Sequence, residues 1–157
     1  MSKIKPCLWF DDRIEEAVNF YVSLFPDSKI TETSRYPEGG PGEPGKVMVM
    51  NFNLSGTDFM ALNGGPEFKF TEAVSFVISC ETQDEVDDYW TKLSEGGEEG
   101  PCGWLKDKYG LSWQIVPSGM EETLNGPDKE GSKRAFAAMV QMGKIDVAEL
   151  ERAYRGA

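Results

Sequence analysis

Histidine is absent from the 157 residues of this chain. Histidine is the commonest general base near neutral pH and the commonest protein ligand of transition metals. Its absence excludes the Ser-His-Asp and Cys-His arrangements of nucleophilic catalysis. Any proton transfer would have to use a carboxylate, a lysine or a tyrosine instead, and no pair of these residues stands out in the sequence.

Cysteine is scarce as well. Cys7, Cys80 and Cys102 form an odd set without a CxxC spacing, which argues against both a disulfide framework and a zinc site. We therefore expect buried or half-buried thiols. The alternative is a reactive Cys102, because this residue stands beside Gly103 in a loop rich in glycine and proline.

Positive charge and long apolar runs are also limited. The chain has 16 Lys and Arg residues against 27 Asp and Glu residues, a net charge of −11. This excess disfavours nucleic acid and anionic membranes as partners, since both require clustered basic residues. No segment approaches the ~18 apolar residues of a membrane span, and residues 1–6 lack the apolar core of a signal peptide. We expect a cytoplasmic protein.

The sequence does contain a weak internal repeat. The pair Phe20-Tyr21 corresponds to Tyr89-Trp90 at an offset of 69 residues, inside two segments with helical apolar spacing. Each helix is preceded by a capping-box pattern, Asp12 with Glu15 and Thr82 with Glu85. Such self-similarity predicts two related modules.

Strand patterns flank both predicted helices, and two more helices are predicted in the tail. The predicted strands are Ile4–Phe10, Lys29–Tyr36, Val47–Leu54, Asp58–Leu62 and Ala73–Cys80, with short strands around 103–108 and 111–116. The tail helices are Ser132–Met142 and a segment capped by Asp146.

These motifs resemble a known superfamily. A strand, then Phe20-Tyr21, then Leu24-Phe25-Pro26 resembles the first half of vicinal oxygen chelate proteins, which include glyoxalase I, extradiol dioxygenases and bleomycin-resistance proteins. The second half resembles the PhnB-like branch, often labelled 3-demethylubiquinone-9 3-methyltransferase-like. Its motifs here are residues 63–66, 102–104, 107–110 and 113–117, and the tail segments 142–146 and 153–154 fit as well, so the resemblance covers essentially the whole chain.

The resemblance implies an α+β fold of two βαβββ modules, whose curved sheets surround a pocket, followed by C-terminal helices. We expect a single domain, with modules at 1–66 and 67–117 and a tail at 118–157. The resemblance also implies a homodimer, and leaves open whether the modules pair within or between chains.

In metal-using relatives four ligands point into the pocket. The resemblance places their counterparts on Pro6, Ser75, Gln114 and within Phe59–Leu62. Hard divalent cations need several carboxylates or imidazoles, so we expect no metal and no cofactor. The methyltransferase label has no mechanistic support either, because the first strand runs into Asp11-Asp12 without a glycine-rich loop.

The expected pocket carries few polar groups. Ser75 and Gln114 lie at predicted inward positions, where they bind a ligand or bond to each other. Trp104 is a candidate aromatic wall. Leu8 and Phe10 are further candidates, because they follow Pro6 by two and four residues and so share its face of the strand. Asp58 and Asn63 flank a predicted strand, where they lie at the pocket mouth or serve turns.

Three functions remain open. The favoured one is a metal-independent protein of the glyoxalase/bleomycin-resistance type that binds a small organic molecule in the inter-module pocket. The second is a metal-independent isomerase, lyase or transferase, including the methyltransferase-like activity of the label. The third is an interaction protein that uses the helices within Ser132–Ala157.

Overall fold

The computed structural model describes residues 2–157, and the chain forms two compact units, Met1–Lys69 and Phe70–Ala157. Each unit has a four-stranded mixed sheet built in βαβββ order. The predicted α+β class and the repeated module are therefore confirmed. No helix within residues 2–157 has the length and apolar character needed to cross a membrane.

The first unit contains one helix between its first two strands. In chain order its elements are β1 (Cys7–Phe10), α1 (Ile14–Leu24), β2 (Lys29–Arg35), β3 (Val47–Leu54) and β4 (Thr57–Asn63). The sheet order is β1-β4-β3-β2, and β1 pairs with β4 in parallel. A parallel pair needs a crossover connection, which here includes α1.

The start of α1 differs from the prediction. Arg13 occupies the N-cap position, and its side chain makes no capping bond to the helix backbone. Asp12 instead has a left-handed backbone, with φ of 62°, and its N–H donates to Asn63 Oδ1 over 3.1 Å. The Asp12 side chain meets Lys46 Nζ at 3.3 Å, so the predicted Asp12 cap is wrong. The end is as predicted, since the helix stops at Leu24, ahead of Pro26.

The second unit repeats this order and adds the tail. Its elements are β5 (Ser75–Cys80), α2 (Gln83–Ser94), β6 (Glu98–Glu99), β7 (Trp104–Lys106), β8 (Ser112–Pro117), α3 (Met120–Leu124), α4 (Lys129–Met139) and α5 (Val147–Arg155). The sheet order is β5-β8-β7-β6. The sequence reading named neither β6 nor α3, because elements this short carry no periodic pattern.

The capping box of α2 is confirmed. Thr82 Oγ1 accepts the N–H of Glu85 over 3.2 Å, and the Glu85 carboxylate reaches back to the N–H of Glu81. Val86 and Leu93 are fully buried on the helix face that covers the sheet. The cap therefore sets where the apolar face of α2 begins.

The tail is part of the core of the second unit. Asp146 caps α5 as predicted, accepting the N–H of Glu149 over 3.1 Å, whereas α4 begins at Lys129, before the predicted Ser132, because Asp128 caps it. Ile145 and Leu150 are 0% exposed. Short helices of this kind are stable only when docked, and these dock within their own unit.

Candidate functional site

The second sheet has one buried face and one open face. Side chains alternate along β-strands. Leu105, Trp113 and Ile115 are buried on one side, whereas Trp104, Lys106 and Gln114 on the other side are only half-buried. We call the second side the open face. It presents the polar and aromatic residues that the sequence analysis selected.

Three of the predicted site residues meet on the open face. Gln114 Nε2 donates a hydrogen bond to Ser75 Oγ over 2.9 Å, and Gln114 lies opposite Trp104 in the β7–β8 register. The polar pair is thus bonded internally, which is one of the two alternatives that the sequence left open. A role for either side chain in ligand binding stays a prediction.

Trp104 also lines a cavity within the second unit. This cavity, of about 470 Å³, lies along β7 and the loop that follows β6. We call it the Trp104 cavity. Its lining includes Glu72, Glu98, Cys102, Trp104, Lys106 and Ser112. Sequence reasoning found Trp104 and singled out Cys102 as an alternative reactive thiol, but it missed the charged residues and Ser112.

Ser112 is the unusual member of this lining. It is 0% exposed, and within residues 2–157 its Oγ has no hydrogen-bond partner. Leaving a buried polar group unsatisfied costs about 1–3 kcal/mol, so native proteins tolerate few such groups. Less than 1 Å² of the Oγ is accessible, so a ligand in the cavity would complete the bonding of this hydroxyl only by displacing a neighbouring side chain. Its position on the same strand face as Gln114 is the sequence signal that could have revealed it.

An ion pair between Lys106 and Glu72 borders the same cavity. The hydrogen bond with Glu72 raises the pKa of Lys106, and the same bond lowers the pKa of the Glu72 carboxyl. Both shifts move the pKa of the group further from neutral pH, so each group stays charged at neutral pH. Such a pair is suited to electrostatic recognition, whereas general acid–base catalysis needs a pKa near the working pH.

Leu8 and Phe10 are buried in the first unit. They are 6% and 3% exposed and belong to its apolar core, whereas Cys7 and Trp9 on the other face are exposed and half-buried. The expectation of a buried or half-buried thiol is therefore wrong for Cys7. The predicted assignment of side chains to the two faces of β1 is therefore wrong by one residue. The cause is a difference in connections, because three residues separate β1 from α1 but two separate β5 from α2. An alignment anchored on the two helices therefore shifts β1 by one position relative to β5, and this assigns the β1 side chains to the wrong faces of the sheet.

Asn63 and Asp58 have structural partners in the first unit. The Asn63 side chain donates to the Val47 carbonyl over 3.0 Å and accepts the N–H of Asp12. Asp58 Oδ1 accepts from Asn53 Nδ2 over 2.8 Å, beside the β3–β4 turn. The Asp58 bond is local to the turn, as the alternative to a pocket role had it, whereas the Asn63 bonds join distant parts of the first unit. A ligand-binding role for either residue stays a prediction.

The residues at the family's metal positions do not fit a hard divalent cation. With the strand faces exchanged by one residue, the first-strand position falls beside Pro6, on Lys5 or Cys7, and none of these three residues supplies a carboxylate or an imidazole. Ser75 and Gln114 are neutral and bonded to each other. The segment Phe59–Leu62 adds a thioether and no carboxylate. Hard cations favour charged oxygen ligands. Over residues 2–157, no group of three or more His, Cys, Asp or Glu side chains is placed to hold a metal ion.

Comparison with known proteins identifies the family. The family model for 3-demethylubiquinone-9 3-methyltransferase matches residues 2–116. A solved structure of a putative 3-demethylubiquinone-9 3-methyltransferase, PhnB protein, from Bacillus cereus is 40% identical, with a TM-score of 0.68 over 74% of this chain and 100% of that chain. The chain belongs to this family. It is the PhnB-like family of the vicinal oxygen chelate superfamily, as the sequence motifs indicated.

More distant structures share the fold. A Pseudomonas aeruginosa protein is 17% identical with a TM-score of 0.63, covering 74% of this chain and 98% of that chain. The fosfomycin resistance protein FosX from Listeria monocytogenes, solved with Mn(II) and sulfate, is 16% identical with a TM-score of 0.55, covering 79% and 95%. The search of curated proteins found no match.

The comparisons support the binding of small molecules at the level of the fold family. The family match ends at Val116, so it does not include the tail, which the sequence analysis had included in the resemblance. Helices α4 and α5 therefore lie outside the matched region.

The family's name implies methyl transfer, which the residues after β1 do not support. Doubly wound nucleotide-binding folds hold their cofactor at a glycine-rich turn after the first strand of a parallel sheet. Here β1 is followed by Asp11, Asp12 and Arg13, and its sheet is mixed. A fold or family name does not by itself establish chemistry.

Proposed function

We propose that this protein binds a small organic ligand in the Trp104 cavity, and that it does so without a metal ion. The observation that carries the proposal is the cavity of about 470 Å³ that Trp104 lines. Its lining includes the buried Ser112, whose hydroxyl has no hydrogen-bond partner among residues 2–157. A ligand that displaces a neighbouring side chain and bonds to this hydroxyl would recover free energy that the unbound protein forgoes.

The cavity has the general character of a small-molecule site. Ligand pockets measure roughly 300–1,000 Å³ and combine apolar walls with a few placed polar groups, and the volume here is about 470 Å³. Trp104 supplies an aromatic wall, Ser112 an orienting hydroxyl, and Lys106 with Glu72 a charged border. Homodimerisation and a cytoplasmic location stay predictions from the resemblance and the composition.

Binding is the function favoured over catalysis. A metal-independent enzyme would need a carboxylate, tyrosine or lysine whose pKa lies near neutrality at the cavity. The pKa of Glu72 is lowered and the pKa of Lys106 is raised, so both values move away from neutrality. The two groups are therefore better placed to attract or repel a charged ligand than to exchange protons with it.

The test is a fragment screen by ligand-detected NMR, followed by affinity measurements on variants. Trp104→Ala should weaken the binders about tenfold or more, because an aromatic wall is lost. Ser112→Ala should weaken them about threefold to tenfold, yet leave the ligand-free protein equally or more stable, because the unsatisfied hydroxyl is gone. An excess of EDTA should change no affinity.

Ser79→Ala is the matched control, since Ser79 is exposed on β5 and is not among the residues that line the cavity. This variant should bind fragments as the parent protein does. The proposal fails if the screen yields no binder, or if every binder keeps its affinity in both Trp104→Ala and Ser112→Ala.

A further inference from the structure

We infer that the Trp104 cavity selects organic cations, meaning ligands with an ammonium or guanidinium group beside an apolar or aromatic body. This inference rests on the proposed function and adds the chemical class of the ligand. It follows from the arrangement of the charged, aromatic and hydroxyl groups around the cavity.

The charges at the cavity leave a negative surplus. Lys106 forms an ion pair with Glu72 and lies directly opposite Glu98 in the β6–β7 register. One ammonium group therefore faces two carboxylates, a net charge of −1 for the three residues. The surplus carboxylate attracts a cation, whereas an anion would be repelled by Glu98 and would have to compete with Glu72 for Lys106.

Glu99 does not share this role, although it also borders the cavity. It lies opposite Leu105, on the buried side of the strand pair, and its Oε1 accepts the indole N–H of Trp90 over 2.9 Å. Its carboxylate is thus engaged with a residue of α2. Glu98 is the carboxylate on the side of Lys106 and the open face.

Trp104 and Ser112 complete a site suited to a cation. An indole face attracts ammonium and guanidinium groups more strongly than the other aromatic rings do, and Trp104 is half-buried at the cavity. The buried Ser112 Oγ, which has no hydrogen-bond partner among residues 2–157, can accept an N–H from the same ligand once a neighbouring side chain moves aside. A carboxylate, an indole and an unpartnered hydroxyl at one cavity therefore favour a positively charged group with N–H donors or a quaternary head.

Three probes with a shared phenyl ring test the charge preference. They are benzyltrimethylammonium, neutral benzyl alcohol and anionic phenylacetate, titrated by calorimetry or ligand-detected NMR at low salt. The cation should bind about tenfold more tightly than either other probe. Trp104→Ala should weaken binding of the cation, which would locate it at the cavity.

Glu98→Gln should weaken binding of benzyltrimethylammonium about threefold to fivefold and leave benzyl alcohol unchanged. Glu121→Gln is the control, because it makes the same change in net charge at an exposed residue that is not part of the cavity lining. A loss of cation affinity in both variants would mean that net charge, and not Glu98, sets the preference, and would overturn the inference.

The outcomes separate this inference from the proposed function. If benzyl alcohol or phenylacetate binds at the cavity as tightly as the cation, the charge preference is wrong and the proposed function stands. The charge preference is likewise wrong, and the proposed function stands, if none of the three probes binds but the cavity binds neutral or anionic fragments. If neither the probes nor any fragment binds, both fail.

Discussion

Asp107 offers the sharpest test of how the second unit is held together. It follows β7 and is 2% exposed. Its Oδ1 accepts the N–H groups of Tyr109 and Leu111 over 2.9 and 3.1 Å, and its Oδ2 accepts the indole N–H of Trp113 over 2.9 Å. One carboxylate therefore ties the β7–β8 turn to a buried side chain of β8.

Replacement by asparagine keeps the shape but changes one acceptor into a donor. The amide oxygen of Asp107→Asn can still serve the two backbone N–H groups, but its NH₂ then faces the Trp113 indole N–H, which is also a donor. A hydrogen bond to a charged group contributes about 1.5–3 kcal/mol. We expect Asp107→Asn to lower the free energy of unfolding by about 2–3 kcal/mol for this reason.

A double-mutant cycle isolates the bond to the indole. Trp113→Phe removes the donor, so the added cost of Asp107→Asn should fall by about 1.5 kcal/mol in that background. The assay is urea denaturation followed by far-UV circular dichroism, because the tryptophan substitution alters fluorescence. Both single variants and the double variant are measured together with the parent protein.

Asp88→Asn is the control, since it breaks an exposed ion pair with Lys92 at 2.9 Å. Exposed i,i+4 pairs contribute about 0.3–0.5 kcal/mol, so this variant should unfold close to the parent. The reasoning is refuted if Asp107→Asn costs no more than Asp88→Asn, or if the two substitutions at Asp107 and Trp113 are additive within about 0.5 kcal/mol.

Two further predictions concern the second unit. Deletion of residues 132–157 should lower its denaturation midpoint, because Ile145 and Leu150 are fully buried. A truncated protein that keeps its midpoint but loses a binding partner would instead support the interaction-protein hypothesis. Burial raises the pKa of the Cys80 thiol from 9.0 to about 11. The folded state then holds this proton more tightly than the unfolded state, so the stability from Cys80 is complete below pH 9.0 and is lost as pH rises towards about 11. Urea titrations across this range should show the decline in the parent and a weaker one in Cys80→Ala, and equal slopes would contradict the assignment.

Some features of the chain follow from local sequence. The strand Val47–Leu54 was predicted with the bounds that the structure has, because its alternating apolar residues lie between clear breaks. The Thr82 cap and the turn at Asp107 follow from side-chain chemistry that acts over two to four residues. The chemistry at the first-strand metal position is likewise a matter of residue type, since none of Lys5, Pro6 and Cys7 has a carboxylate or an imidazole.

The residues of β1 do not by themselves show which of its side chains face the helix. Cys7, Leu8, Trp9 and Phe10 are all apolar, so the strand has no alternation to show which side the helix covers. The choice depends on the length of the connection to α1 and on the packing of that helix. The Asp12 cap failed for a related reason, because a bond to the distant Asn63 and a left-handed backbone took the place of the local cap.

The sequence by itself determined the family, because its motifs are short runs of neighbouring residues, and through that resemblance it determined the repeated βαβββ order. Only the tertiary structure decided that Ser75 bonds to Gln114, that Glu72 reaches Lys106 and that the buried Ser112 hydroxyl finds no partner among residues 2–157. Each of these depends on which strands are neighbours and which segment folds over them. Hydrogen bonding and desolvation act across those long sequence separations, so the candidate site exists only once the second sheet is assembled.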